Sequence, residues 1–114
     1  MSSLIPFSFE SSTVRVVLID QQPMFSARDV AVALTYSNPS KAYNDHCKSL
    51  KKLSYNESLE LNWDNPNPQG EYVIPQSDVL RLIVKSEKPE AERFEKWVFE
   101  DVLPSVLSTG SYTI

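Results

Sequence analysis

The residues with the clearest potential chemistry lie between Asn38 and Lys52, where four lysines stand against one acidic residue, Asp45. Ammonium groups at this density can contact phosphate oxygens, and an asparagine side chain can pair in a bidentate manner with adenine. The segment, together with an arginine upstream, predicts a surface for double-stranded DNA. The candidate base-reading residues are Ser40 and Asn44, and the candidate phosphate contacts are Arg28, Lys41, Lys48, Lys51 and Lys52.

Two short helices are predicted to position these side chains. Ser26 and Asp29 have the spacing of a capping box, which marks the start of a helix that should end near Thr35. The second helix should begin at the Asn38-Pro39 step, with asparagine as the N-cap and proline in the first turn, and should run to about Leu50. Two helices joined by such a short turn are a helix-turn-helix candidate.

Strand signals precede this pair and follow it. Residues 7–9 and 14–19 should form an N-terminal hairpin, and Met24-Phe25 is a candidate third strand. Residues 58–63 alternate between polar and apolar, and a polar turn segment separates them from another apolar stretch at 71–74. We therefore predict a second hairpin from these two segments, which could serve as a wing beside the helices.

Two further helices are predicted to close the domain. Ser77 can cap the first of them, which has apolar residues on its inward face. Pro89 should begin the longest helix, whose apolar residues recur at the three-and-four spacing of a buried face. Pro104 is expected to bend this helix, and Gly110 to end the regular structure.

Length and composition favour one folded α+β domain over residues 1–114, with small antiparallel hairpins packed against the helix-turn-helix-like pair and the two C-terminal helices. Hydrophobic residues make up 41% and charged residues 23% of the 114-residue chain, the balance of a globular protein. No apolar run approaches the roughly 20 residues of a membrane span, and the N-terminus has no secretory signal pattern. These features predict no membrane partner and no secretion. The single cysteine, Cys47, cannot form an internal disulfide, which fits a reducing cytoplasm.

Catalysis and metal binding are not expected. His46 and Cys47 are the only histidine and cysteine, whereas a zinc site needs about four ligands. With two glycines in the chain there is no glycine-rich phosphate loop, and no catalytic motif has its usual spacing. We therefore predict neither enzymatic activity nor a cofactor. Core packing is the favoured role of His46 and Trp97, and Trp63 is left open between core and contact surface.

The charge distribution allows a second interpretation. The net charge is −4, which is unusual for a dedicated DNA-binding protein. Residues 1–52 carry six Lys and Arg against four Asp and Glu, whereas residues 53–114 carry five against eleven. An acidic stripe on the last predicted helix could bind the basic surface of another protein. The stripe consists of Glu90, Glu92, Glu95, Glu100 and Asp101. For both the basic and the acidic surface, an ordinary solvated helix face is the alternative.

Several stretches, in order along nearly the whole chain, resemble the Bro-N family of baculovirus BRO proteins and phage antirepressors. The sharpest lies from Trp97 to Pro104, with Gly110 and Tyr112 after it. Two positions depart from the family pattern: Thr35 stands where glycine is frequent, and 106–108 lack the family's basic residues. The other matching stretches are residues 25–31, 33–36, 38–39, 46–47, 74–83 and 85–96.

The resemblance implies a regulator of transcription in a virus or prophage, acting in the cytoplasm of a bacterial host cell. Family members are linked to DNA binding through this domain and to antirepression, in which the protein blocks a phage repressor. DNA binding is therefore the expected activity, and binding to a repressor through the acidic stripe without DNA contact is the alternative. A C-terminal domain is frequent in the family, so the chain is either a stand-alone copy or a fragment. A homodimer is one possible assembly.

Overall fold

The computed structural model describes residues 4–63 and 65–111, which form a five-stranded antiparallel sheet in the order β1-β2-β3-β5-β4. The strands are β1 (Ile5–Phe9), β2 (Ser12–Ile19), β3 (Gln22–Ser26), β4 (Lys51–Leu53) and β5 (Glu71–Pro75). The predicted N-terminal hairpin and the short third strand are thus confirmed. Asp20 and Gln21 close the β2–β3 turn with positive φ angles of 53° and 66°, as a two-residue hairpin turn of type I′ requires.

Six α-helices lie within the described residues, which confirms the α+β class. They are α1 (Ala27–Ala33), α2 (Pro39–His46), α3 (Tyr55–Glu60), α4 (Gln76–Ser86), α5 (Pro89–Trp97) and α6 (Leu103–Ser111), with a π-helical turn at Val98–Val102 between the last two. None of the described helices is long and apolar enough to cross a bilayer.

The larger core lies between one face of the sheet and helices α1, α2, α4 and α5. Phe25, Leu34, Leu82 and Phe94 are fully buried in it, and each such side chain stabilises the fold by roughly 1.5–3 kcal/mol. Phe94 meets Phe9 of β1 edge to face, with ring centroids 5.1 Å apart. This core fixes α1 and α2 against the sheet and leaves their outer faces to solvent.

A smaller core on the opposite sheet face corrects one prediction. Residues 58–63, expected to be a strand, belong instead to α3 and the turn after it, because Ser54 and Glu57 form a reciprocal capping box. The helix ends at Glu60, and Asn62 in the following turn has a φ of 60°. This turn brings Trp63 into a cluster with four residues of the sheet. Those four are Val17, Met24, Leu53 and Val73.

The prediction that residues 58–63 and 71–74 form a hairpin wing is therefore wrong. β5 lies between β3 and β4, and its partner on the outer side is β4, not residues 58–63. Six residues are too few for alternation to distinguish a strand from a short helix, and the local capping interactions decide in favour of the helix.

Three smaller predictions about helix ends are also wrong. The second helix ends at His46 and not near Leu50, because the chain must turn back to form β4. Ser77 does not cap α4, which begins one residue earlier with Pro75 in the N-cap position. Gly110 lies inside α6 and does not terminate it.

The irregularity expected at Pro104 takes the form of the π-helical turn just before it. The backbone N–H of Leu103 donates to the carbonyl of Val98, five residues earlier. Pro104 has no N–H to donate, and its ring would crowd the carbonyl four residues before it in a regular helix. One wider turn relieves that conflict and lets the helical path continue into α6.

Candidate nucleic-acid interface

Helix α2 begins as predicted, because Asn38 satisfies its first turn. The Asn38 side chain accepts a hydrogen bond from the Lys41 backbone N–H at 3.2 Å, and Pro39 occupies the first turn. Ala42 and Tyr43 are buried against the larger core. The residues on the other side of the helix are therefore exposed, namely Ser40, Lys41, Asn44 and Asp45.

The turn before α2 depends on a residue in an unusual backbone conformation. Thr35 has a φ of 64°, and its N–H and that of Tyr36 donate to the carbonyls of Val32 and Ala31, the hydrogen bonds of a Schellman motif. The Lys88 ammonium donates to the Thr35 carbonyl at 2.7 Å and to its hydroxyl at 3.0 Å. The residue that departs from the family pattern therefore keeps the turn geometry that glycine would give.

The exit from α2 is held by a buried carboxylate. Asp78, in the first turn of α4, is fully buried and accepts hydrogen bonds from the backbone N–H groups of Lys48 at 2.9 Å and Ser49 at 2.7 Å. The Arg81 guanidinium donates to the same carboxylate at 2.6 Å. Asp78 thus fixes the backbone at Lys48, while the Lys48 side chain stays exposed.

The two candidate base-reading residues make hydrogen bonds within their own helix. The Asn44 amide nitrogen donates to the Ser40 carbonyl at 2.8 Å, and the Ser40 hydroxyl donates to the Asn38 side chain at 3.2 Å. An asparagine has two N–H donors and a carbonyl acceptor. Asn44 therefore retains one donor and its acceptor, which is the combination that adenine recognition uses.

Lys41 forms an ion pair with an acidic residue one turn later. Its ammonium lies 2.7 Å from the Asp45 carboxylate, and both side chains are exposed. This hydrogen bond raises the pKa of Lys41 and lowers the pKa of Asp45, so both groups are charged at neutral pH. Exposed pairs of this kind are weak and screened by salt, so the Lys41 ammonium can leave Asp45 for another anion.

The two lysines of β4 lie on opposite faces of the sheet. Lys52 pairs with Tyr72 in the β4–β5 register, and its ammonium lies 5.5 Å from the centre of the Tyr72 ring, beside the larger core. Lys51 pairs with Val73 of the smaller core and lines a groove there with Glu57 and other residues. In the sequence, the two lysines are adjacent and lie just beyond α2, so both are expected to contact phosphate.

Arg28 lies on the exposed side of α1, close to Tyr43 of α2. Burial and the adjacent Tyr72 raise the pKa of the Tyr43 phenol, and the nearby positive charge of Arg28 opposes that rise. The rings of Tyr43 and Tyr72 lie 5.6 Å apart. The pair of tyrosines links α2 to Lys52, whose ammonium lies over the Tyr72 ring. The sequence does not single out either tyrosine as part of the interface; the one available signal is that Tyr72 lies in an apolar stretch, 71–74.

The Ser26–Asp29 motif is half a capping box. The Ser26 hydroxyl accepts a hydrogen bond from the Asp29 backbone N–H at 3.2 Å. The Asp29 carboxylate, however, does not reach back to Ser26; it accepts two hydrogen bonds from the Arg15 guanidinium of β2, at 2.7 and 2.9 Å. The Arg15 guanidinium also lies 5.2 Å from the centre of the Trp63 ring. This interaction anchors the start of α1 on the sheet, and Trp63, buried in the smaller core, is a packing residue.

The remaining reactive side chains have packing environments. The His46 ring is half-buried with its centroid 6.1 Å from that of Tyr36. Burial, and then the charge of Asp78, raises the pKa of the Cys47 thiol to about 12, so the thiol is protonated. In the described ranges, no three His, Cys, Asp or Glu residues group as metal ligands would.

The predicted acidic stripe lies on α5 and the π-helical turn. Glu92, Glu95, Glu100 and Asp101 are exposed and Glu90 is partly exposed. Arg93, within the stripe, forms an ion pair of 2.8 Å with Glu10 of the β1–β2 turn. The carboxylates of the stripe are thus available at the surface.

The chain is similar in sequence to a described protein family and to several individual proteins. The family described as "BRO family, N-terminal domain" matches residues 13–104. An uncharacterized protein of Haemophilus influenzae is 39% identical over 112 residues, covering 95% of this chain and 52% of the relative. No solved structure matches.

Two viral relatives carry the domain in their names. The uncharacterized Bro-N domain-containing protein ORF2 of Autographa californica nuclear polyhedrosis virus is 32% identical, over 93% of this chain and 36% of its own length. The uncharacterized Bro-N domain-containing protein J of Lymantria dispar multicapsid nuclear polyhedrosis virus is 30% identical, over 93% of this chain and 29% of its own length. The chain therefore spans about half or less of the length of these relatives.

Proposed function

This chain belongs to the BRO family of N-terminal domains, and from that premise we propose that it is an antirepressor-type regulator of transcription that binds double-stranded DNA. Helix α2 lies in the major groove in this proposal. Asn44 and Ser40 contact base edges, and cationic side chains around the helix contact phosphates.

The observation that carries the proposal is the exposed outer face of α2. A recognition helix must be rigidly attached and yet project its polar side chains. Asn38 at its start and Asp78 at its exit hold α2 at both ends, while Ser40, Lys41 and Asn44 remain exposed. The polar atoms that Asn44 retains suit an adenine.

The charges around α2 support the same surface. Within the described residues, Arg28, Lys48 and Lys52 are exposed and have no carboxylate within salt-bridge distance. The net negative charge of the chain comes from residues after 52, so it does not neutralise this surface directly. Long-range repulsion remains, and salt screens it over about 8–10 Å.

A charge-reversal series tests the proposal. We expect Lys41→Glu/Lys48→Glu to bind promoter DNA of the host or phage at least about tenfold more weakly than wild type, and to lower the salt slope by about 1.8. Asp45→Asn should act in the opposite direction, because it releases Lys41 from its ion pair. Fluorescence anisotropy at several salt concentrations measures both effects.

Lys85→Glu/Lys96→Glu is the matched control, since it changes the net charge equally at two exposed lysines of α4 and α5. Its loss of affinity should be much smaller. If both double variants lost the same amount of DNA affinity, the change in net charge alone would explain the loss. That result would contradict the assignment of α2 as the DNA-binding helix. The absence of DNA binding by the wild type at low salt would contradict the whole proposal.

A second candidate function is antirepression by direct contact with a repressor protein. The exposed carboxylates of the acidic stripe favour it, because repressors present basic surfaces to DNA. Glu92→Lys/Glu95→Lys should then abolish co-purification with the repressor, while Lys41→Glu/Lys48→Glu should not affect it. The reverse pattern would favour DNA binding through α2.

A further inference from the structure

The edge strand β4 separates two adjacent lysines that the sequence alone cannot distinguish. Both Lys51 and Lys52 are exposed, and charged residues on an edge strand often serve only to prevent pairing with other chains. That role would apply equally to both. Because successive side chains of a strand point to opposite faces, the surroundings of the two ammonium groups differ.

Lys52 is held on the side of the sheet that carries α2. Its ammonium lies 5.5 Å from the centre of the Tyr72 ring, within the range of a cation–π interaction. Its stem passes over Gly70: a Cβ there would lie 3.2 Å from Lys52 Cε and 2.4 Å from the Leu53 carbonyl oxygen. The glycine thus gives room both to the β4–β5 edge and to the lysine stem.

The Tyr72 ring in turn links Lys52 to α2. It lies 5.6 Å from the ring of Tyr43, which is buried beneath the outer face of α2. Arg28 is close enough to oppose the rise in the Tyr43 pKa that burial and Tyr72 cause. Glu71, which also acts on Tyr43, accepts a hydrogen bond from the Asn67 N–H at 2.9 Å in the preceding loop.

Lys51 has a different environment on the opposite face. It lines the groove with Leu53, Glu57 and Glu60. The hydrogen bonds with Ser54 lower the pKa of Glu57, and the charge of Lys51 lowers it further. Lys51 therefore shares its groove with two glutamates of α3, on a face to which α2 does not belong.

We propose that the sheet edge is a second contact element for the DNA backbone, in which Lys52 and Arg28 bind phosphates beside α2 while Lys51 does not take part. Tyr72 is a positioning residue, since its ring holds the Lys52 ammonium and is itself packed against the ring of Tyr43. The inference rests on the proposed function and extends the interface from one helix to the helix together with β4 and β5.

Neutralising each lysine in turn tests this assignment. We expect Lys52→Gln to weaken DNA binding by about three- to tenfold at moderate salt and to lower the salt slope by about 0.9, the value for one phosphate contact. Lys51→Gln is the matched control, with the same change in net charge one residue away, and should stay within about twofold of wild type. Equal effects of the two variants would overturn the inference.

Tyr72 provides a test of positioning. Tyr72→Phe keeps the ring and should bind like wild type, whereas Tyr72→Leu should lose about two- to threefold in affinity, since cation–π contacts at exposed sites are modest. Circular dichroism and thermal unfolding of each variant establish that it is folded. Wild-type affinity in a folded Tyr72→Leu variant would remove the positioning role.

The two proposals fail in different ways. If Lys41→Glu/Lys48→Glu binds DNA as well as wild type, the assignment of α2 fails and this inference fails with it. If that variant loses binding but Lys52→Gln and Lys51→Gln behave alike, the helix assignment stands and only the sheet-edge contact is wrong.

Discussion

Thr35 shows how a single residue can hold a turn in spite of its side chain. A β-branched residue with a φ of 64° is uncommon, because the branch crowds the backbone in the left-handed region. The hydrogen bonds of its hydroxyl, to the Leu34 carbonyl at 2.6 Å and from Lys88 at 3.0 Å, offset part of this cost. The turn that orients α2 is thus stable but strained.

Replacing Thr35 should reveal that strain. We expect Thr35→Gly to raise the free energy of unfolding by about 0.5–1 kcal/mol, since relief of left-handed strain exceeds the added chain entropy of glycine. Thr35→Val is the control, because it keeps the branch and loses the hydroxyl, and it should be less stable than wild type. Urea unfolding measures both, and a glycine variant less stable than wild type would show that the hydroxyl contacts dominate.

At the scale of elements, α2 and α4 depend on each other through Asp78. The buried carboxylate accepts two backbone N–H groups that follow α2 and one guanidinium hydrogen bond from its own helix. A carboxylate can accept all three at once, whereas an amide has a single acceptor oxygen. The exit of α2 and the approach to β4 therefore depend on this charge.

Asp78→Asn should accordingly lower the free energy of unfolding by about 1–3 kcal/mol. The amide NH₂ of asparagine cannot accept a hydrogen bond, so the backbone N–H of either Lys48 or Ser49 would lose its acceptor. Ser77→Ala, at the exposed neighbouring position, should change it by less than about 0.5 kcal/mol, since Ser77 does not cap α4. Chemical denaturation of both variants checks the pair. A large loss in Ser77→Ala would restore the capping role that the sequence predicted.

At the scale of the whole molecule, the sheet separates two surfaces with different chemistry. One face carries the larger core, with α2, Lys52 and the Tyr43–Tyr72 pair at its margin. The other carries the smaller core, α3 and a groove lined by one lysine and two glutamates among apolar residues. The overall charge of −4 therefore says little about the charge that a partner of α2 would meet.

This separation predicts the salt dependence of DNA binding. With Arg28, Lys41, Lys48 and Lys52 as the phosphate contacts, the logarithm of the binding constant should fall against that of the salt concentration with a slope of about −3.6. A slope near zero would contradict an electrostatic interface. A slope much more negative than the predicted one would indicate phosphate contacts by cationic residues other than these four. The titration needs only the wild-type protein and a short duplex.

Local signals in the sequence determined much of this architecture. The Asn38-Pro39 step defines the start of α2 because capping and the fixed φ of proline act within a few residues. The β-branched run at 14–19 defines β2 in the same way. The alternation at 58–63 led to a wrong prediction of a strand, because six residues fit a strand as well as a short helix. The capping box of Ser54 and Glu57 stabilises the helix instead.

By itself, then, the sequence determined the elements that local interactions specify: the α+β class, the N-terminal hairpin, the helix pair and the exposed polar face of α2. Only the tertiary structure decided which cations share a surface, because strand pairing and the packing of α2 on the sheet join residues far apart in the chain. Lys51 and Lys52 are neighbours in sequence but lie on opposite faces, whereas Tyr43, Tyr72 and Lys52 meet only when β4 and β5 pair beside α2.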